Sequence, residues 1–229
     1  GIDIIDIGGE STKPGFETIS PDLEINRIAE VLKVLRKDHP NLVVSVDTRK
    51  SQVAEYALSR GVKIFNDVSS LNYDRDSFKV AKKFGSYVCL MHNSGAGKDL
   101  HQKILGKDFL LDIFDHLRER IQFAELNGIS RSKIAIDPGI GFGKTVDQNI
   151  TIIANISLFH TLGCPIVVGV SRKGFVGKIT GEDQPANRML GSVLLATELI
   201  KQGVQVVRVH DIKETNQAIN MCYKMNLAD

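Results

Sequence analysis

Cysteine is scarce and scattered in this 229-residue chain: Cys89, Cys164 and Cys222 are three, with no C-x-x-C pair. An odd, widely spaced set excludes a disulfide framework and a cysteine zinc site, and predicts a reduced, cytoplasmic protein. Charge of one sign is also lacking. Lys and Arg number 29 against 27 Asp and Glu, a net +2, so there is no basic face with which to grip nucleic acid. Long apolar runs are absent: stretches such as Pro165 to Val170 fall far short of the ~20 residues that span a bilayer. No basic-then-apolar leader opens the sequence. Linkers, low-complexity segments and charge blocks are missing too, so residues 1–229 read as a single domain.

What is present is alternation. Short runs rich in Val and Ile recur at Ile2–Ile7, Leu42–Val46, Val62–Asn66, Tyr87–Met91, Lys133–Asp137, Ile166–Val170 and Gln205–Val209. Being apolar on both parities, they predict strands buried on both faces. Helix-period stretches lie between them. Ser20-Pro21 with Asp22 and Glu24 supplies a cap, a first-turn proline and acidic residues, and Ile28, Val31, Leu32 and Leu35 form an inward stripe. Residues 107–127 carry Leu110, Ile113, Phe114, Leu117, Ile121 and Ala124; residues 185–202 carry Leu190, Val193, Leu194 and Thr197 as the expected buried face. Strand–helix alternation implies parallel strands with right-handed crossovers. Polar residues close nearly every strand, which favours a (β/α)₈ barrel, with all strand ends around one mouth, over an open sheet. Only seven strands are legible. Gly61, Gly85, Gly128, Gly163 and Gly203 each stop a helix before the next strand, and Gly1 stands in the same relation to Ile2–Ile7. The expectation is a barrel lacking its first βα unit; the alternative is that Gly1 is merely a residual first residue.

Strand parity groups the polar ends, because side chains alternate with period two. Arg208 and His210 share one face, suited to an anion. Gly169, Ser171 and Lys173 share another, with Gly169 letting a flat ring lie against the backbone. Asp47, Asn66 and Asp137 end their strands as acceptors. An acceptor-rich wall opposite a cationic wall suits a heteroaromatic ring with a donor edge and an anionic tail. Each residue also has a plainer role. Asp47 and Asn66 are candidates for Asx turns, Arg208 with His210 for a pairing with Asp211, Met91 and Phe142 for core, and Glu10 for a buried partner of Lys13 or an arginine. The segment Asp137-Pro138-Gly139-Ile140-Gly141-Phe142-Gly143-Lys144-Thr145 is neither a P-loop, which needs Gly at 138, nor a dinucleotide fingerprint, which needs Gly at 144.

Seven motifs in order resemble the dihydropteroate synthase family. They are Gly8-Gly9-Glu10-Ser11-Thr12-Lys13-Pro14-Gly15, Ser45-Val46-Asp47-Thr48, Asn66-Asp67-Val68, Met91-His92, Asp137-Pro138-Gly139, Gly169-Val170-Ser171-Arg172-Lys173 and Arg208-Val209-His210-Asp211. The resemblance implies a barrel of folate biosynthesis that condenses a 6-hydroxymethyl-dihydropterin pyrophosphate with 4-aminobenzoate, a sulfonamide target, with Mg²⁺ as cofactor. By the family pattern Asp137 accepts from the pterin's 2-amino and ring N–H groups, Asp47 and Asn66 hold other edges, and Lys173 donates to the carbonyl side. Val68, Met91, Phe142 and Gly169 line the ring, and Arg208 stacks on it. Arg208 and His210 take the pyrophosphate, and Thr12, Pro14, Ser171 and Lys173 frame the aminobenzoate. Lys173 and Arg208 are the expected catalytic pair. No nucleic acid or membrane partner is implied; a homodimer is.

There are departures. The family's first strand and its Asn–Val–Thr–Pro–Asp loop are absent, and with them the Asn that meets Mg²⁺, so no metal ligand is expected in this chain. Lys13 stands where many members have Arg, which weakens bidentate anion contact. Strands 2–7 and 205–209 are expected to have open edges. The rival expectations are a pterin-dependent methyltransferase, which has no use for the loop Ser11 to Gly15, and a truncated, non-catalytic pterin-binding module.

Overall fold

The computed structural model describes residues 1–95, 99–103 and 106–226. Its elements run β1 (Ile4–Ile7), α1 (Pro21–Asp38), β2 (Val43–Asp47), α2 (Ser51–Leu58), β3 (Ile64–Asp67), α3 (Ser77–Phe84), β4 (Tyr87–Met91), α4 (Phe109–Leu126), β5 (Ile134–Asp137), α5 (Val146–Ala154), β6 (Val167–Gly169), α6 (Gly174–Thr180), α7 (Met189–Lys201), β7 (Val206–Arg208) and α8 (Ile212–Asn226). All seven expected strands form, most trimmed by a residue or two at their starts. Lys133 belongs to a short 3₁₀ turn ahead of β5, not to the strand.

The strands are parallel and adjacent in chain order. β1 to β5 form one sheet and β6 pairs with β7. The Ile136–Ile166 bridge joins the two. β7 comes back beside β1, where side chains span the seam: Arg208 Nε donates to Asp6 Oδ2 at 2.7 Å, and Asn216 Nδ2 to the Gly1 carbonyl at 2.9 Å. Among the described residues no backbone ladder joins these two strands.

Local chemistry accounts for the helices. Ser20 Oγ caps α1 by accepting from the Leu23 N–H at 3.3 Å, with Pro21 at the first position, as its spacing predicts. Thr145 and Gln148 form a reciprocal capping box on α5, satisfying donors that a helix start leaves free. Gly61, Gly85, Gly128, Gly163 and Gly203 all have positive φ, the left-handed stop that an L side chain disfavours. The core lies between barrel and helices. Val44, Val46, Phe65, Val88 and Ile136 face outward onto Ile28, Leu32, Leu117 and Ile121, all buried. Full burial of such a side chain is worth about 1.5–3 kcal/mol.

Two expected inward stripes need correction. On α7 the core face is Ser192, Ala196 and Leu199, whereas Leu190 is 79% and Leu194 67% exposed. The apolar period there marks an outer face, because the small Ser192 and Ala196 let α7 seat closely. On α1, Val31 is half-exposed beside buried Ile28 and Leu32. No described helix is long and apolar enough to cross a membrane.

Candidate active site

The barrel mouth gathers the residues that close the strands. Asp47 ends β2, Met91 ends β4, Asp137 ends β5, Gly169 ends β6 and Arg208 ends β7; Asn66 is the penultimate residue of β3. Register sets them side by side: Asp47 lies opposite Asn66, Met91 opposite Asp137, and Gly169 opposite Arg208. The next residues along complete the rim. Lys173 precedes α6, and its ammonium donates to the Ile140 carbonyl while lying 4.7 Å over the Phe142 ring.

Carboxylates on one side face cations on the other. Arg208 donates to Asp6 and stands 3.5 Å from Asp47 Oδ2. Asp6 Oδ2 also accepts from Asn66 Nδ2 at 3.2 Å, and its buried Oδ1 has no partner. Asp6 was not among the expected site residues. Its only trace in sequence is one carboxylate inside an otherwise apolar Ile-Ile-Asp-Ile run, on the parity of the barrel interior. The expected pairing of Arg208 or His210 with Asp211 is not found: Arg172 holds Asp211 through Nε at 3.1 Å and through Nη2.

Burial and these neighbours tune the groups. Asp47 is pushed up by burial and by the Asp6 charge, against the pull of Arg208. Burial raises Asp137 as well, opposed by Lys173 and by the Gly139 N–H, which donates to Asp137 Oδ1 at 2.6 Å. Lys173 is lowered by burial to about 8, with Asp137 holding it from falling further. Arg208 is driven up by the Asp6 and Asp47 charges against the partial desolvation of its base at the rim. His210 is pulled down by burial and by Arg172 and Arg208. Its Nδ1 meets Ser171 Oγ at 3.0 Å, and Ser171 Oγ also accepts the His210 backbone N–H. Shifts of this kind, set by burial and by opposed charges, cluster at functional sites.

The flat-ring surfaces are present. Val68, Met91 and Leu100 form a buried apolar cluster, with Phe16 and Phe142 against it. Gly169 leaves open space: an added Cβ there would meet nothing nearer than Arg208 Cβ at 3.7 Å. The loop after β3 is set by Asp67, whose side chain accepts from Ser69 N, Ser69 Oγ and Leu71 N, so Asp67 shapes the loop behind Val68 and does not face the mouth. Phe142 stacks on His101 at 5.3 Å, and His101 Nε2 lies 2.9 Å from the Thr12 carbonyl. This contact brings the Thr12–Pro14 loop over the mouth; Thr12 is half-buried and Pro14 exposed. Neither His101 nor the loop contact had a sequence signal, since both depend on two loops meeting in space.

Lys144 acts behind the rim. Its ammonium donates to the Gly139 and Phe142 carbonyls at 2.7 and 3.1 Å and lies 3.2 Å from His92 Nδ1, pinning the glycine-rich loop. Glu10 does not touch Lys13; its partners are Arg49 and Lys50. Among the described residues no group of three or more His, Cys, Asp or Glu side chains is placed to hold a metal. At the Arg208 end the carboxylates of Asp6 and Asp47 face the guanidinium, while Arg208, His210 and Ser171 supply the cationic, imidazole and hydroxyl groups that fit an anion.

Comparison with known proteins identifies a family. A model of the family described as pterin binding enzyme matches residues 1–210. The dihydropteroate synthase of Clostridium beijerinckii is 37% identical over 223 residues, 96% of this chain and 79% of that protein. That of Escherichia coli K12 is 34% identical, over 96% of this chain and 77% of its own. Among solved structures, a Clostridium difficile dihydropteroate synthase with pteroic acid superposes with a TM-score of 0.92 at 37% identity, covering 98% of this chain and 82% of that one. The Xanthomonas albilineans enzyme with 4-aminobenzoic acid gives 0.93 at 33% identity, covering 99% and 80%.

Proposed function

We propose a reaction for this chain from the premise that it belongs to the pterin-binding enzyme family, in its dihydropteroate synthase branch. It condenses 6-hydroxymethyl-7,8-dihydropterin pyrophosphate with 4-aminobenzoate, forming 7,8-dihydropteroate and releasing pyrophosphate. One observation carries the reading: acceptors Asp47, Asn66 and Asp137 face donors Lys173 and Arg208 across a single barrel mouth.

The chemistry asks for orientation more than for a strong base. The arylamine nitrogen attacks the pterin methylene, the methylene–oxygen bond breaks, and the electron pair leaves on the pyrophosphate. The ammonium so formed then loses its proton. In this reading Asp137 accepts from the pterin's amino and ring N–H donors in charge-assisted bonds. Asn66 and Asp47 hold further edges, and Lys173 donates to the carbonyl. Val68, Met91, Phe142 and Gly169 enclose the ring. Arg208, tethered by Asp6, lies over the ring and with His210 receives the leaving pyrophosphate. Fixed donors where charge develops lower the barrier without reorganisation. Thr12, Pro14, Ser171 and Lys173 frame the aminobenzoate, holding its amine in line. Magnesium enters this reading as the counter-ion of the pyrophosphate.

Two further parts of the reading concern the whole molecule. Exposed Leu190, Leu194, Met221, Tyr223 and Met225 give α7 and α8 an apolar outer face, which supports a homodimer through these helices. Three free thiols, at Cys89, Cys164 and Cys222, suit a reducing cytoplasm. The test of the reaction is direct: incubation with both substrates should yield dihydropteroate and pyrophosphate in equal amounts. Tight pterin binding with no coupled product, or methyl transfer from a methylated pterin, overturns it.

A further inference from the structure

The loop between β1 and α1 holds Thr12 and Pro14, yet few contacts within the loop fix its shape. Lys13 N–H donates to Ser11 Oγ at 3.3 Å and Phe16 N–H to the Lys13 carbonyl at 3.1 Å. Gly15 has a positive φ of 76°, and a Cβ built on it would meet nothing within 4 Å. The crown is therefore an arch touched at the Thr12 carbonyl by His101 and standing on two feet, and one side chain from another element reaches both feet.

That side chain is Arg49, just before α2 and only 2% exposed. Its Nε donates to Glu10 Oε1 at 2.9 Å, and its Nη2 to Thr18 Oγ1 at 2.8 Å. The guanidinium plane lies 5.0 Å from the Phe16 ring and 4.1 Å from the Tyr73 ring. Glu10 is the near foot; Phe16 and Thr18 are the far foot. Lys50 and the Ile19 N–H take the second Glu10 oxygen, at 2.6 and 3.0 Å, and Lys50 also reaches Glu24. Lys50 can pin Glu10 but has neither the fork nor the flat face to reach the far foot as well. Phe16 in turn packs on the Val68–Met91–Leu100 cluster that lines the ring surface.

We propose that Arg49 is a positioning residue for the arch: it sets the span between Glu10 and Thr18 and so fixes where Thr12 and Pro14 present themselves to the arylamine. This rests on the reaction proposed above. The class of ligand affected is the aromatic amine that enters beside the pterin, while the pterin acceptors Asp47, Asn66 and Asp137 take their contacts from Arg208, Asp6 and Gly139.

The test compares Arg49→Met and Arg49→Lys with the parent chain. Glu10 keeps Lys50 and the Ile19 N–H in both, so no buried carboxylate is orphaned. Hydrogen exchange of residues 11–19 should quicken about tenfold or more in Arg49→Met, since the charge-assisted bonds to Glu10 and Thr18 are lost, with the barrel strands unchanged. KM for 4-aminobenzoate should rise about tenfold, with kcat and calorimetric pterin pyrophosphate affinity held within about twofold. Arg49→Lys should recover only part of each effect. Unchanged exchange over 11–19 overturns the proposal whether or not the parent is active. In an active parent, an unchanged arylamine KM or an equal loss for both substrates also overturns it. A parent that forms no dihydropteroate sinks the reaction instead, leaving the exchange result to judge the arch.

Discussion

Asp137→Asn probes the pterin wall at its centre. The substitution keeps an oxygen for the Gly139 N–H, which now donates to Asp137 Oδ1 at 2.6 Å, so the turn into the glycine-rich loop survives. It removes one negative charge from the mouth and can set an amide donor against the pterin's own donors. Each charge-assisted bond lost costs about 1.5–3 kcal/mol, so affinity for pterin pyrophosphate should fall by roughly 10- to 100-fold. A second effect runs through Lys173. Burial holds that ammonium at about 8, and Asp137, with a smaller contribution from Asp47, opposes a further fall; without the Asp137 carboxylate Lys173 titrates lower. The parent loses the Lys173 charge as pH rises through about 8, and the variant loses it earlier. The defect should therefore widen between about pH 6 and pH 8. Stability moves the other way with pH. A lysine lowered in the folded state makes folding more favourable as pH rises from its folded value toward the ~10.4 of the unfolded chain, and in the variant this window opens at lower pH. Calorimetric titration across the range reads the affinity, and thermal unfolding at the same pH values reads the stability. Affinity within about twofold of the parent at every pH would refute the placement of the ring against Asp137. A defect of constant size would refute the coupling to Lys173 alone.

The ion pair lost in Asp6→Asn should by itself cost only about 0–1 kcal/mol of stability, because Arg208 is over half exposed, while kcat/KM drops about tenfold as the guanidinium loses its tether; thermal unfolding and steady-state kinetics separate the two. The same variant removes a charge that raises Asp47. In the parent, a carboxyl raised in the folded state makes stability decline as pH climbs from the ordinary carboxylate value to the raised one, so Asp6→Asn should flatten that decline in unfolding midpoints taken from pH 4 to 8 (roughly the range between those two values). Leu194→Glu places a charge on the exposed face of α7 and should shift sedimentation to monomer without loss of pterin affinity; a dimer that persists refutes the helix-face interface.

The sequence showed much of this molecule because much of it is locally determined. Val- and Ile-rich runs buried on both faces announce parallel strands, and a glycine before each next strand announces a left-handed stop, which the positive φ values of Gly61, Gly85, Gly128, Gly163 and Gly203 bear out. Asp47, Asn66 and Asp137 were legible because strand parity and strand ends are sequence properties. The α7 stripe misled for the opposite reason: Leu190 and Leu194 have helical spacing, but periodicity gives a face and not the neighbour it meets. Ser192 and Ala196 seat the helix, so the leucines look outward.

Chain order and side-chain alternation thus determined the barrel, its mouth and which polar groups reach it. Only the tertiary structure decided who pairs with whom. Arg208 answers Asp6 across 202 positions, Arg49 answers Glu10 across 39, and His101 meets Thr12 across 89. Such pairings depend on where the barrel brings distant loops together, and ion pairs and stacked rings carry no period for a one-dimensional reading to find.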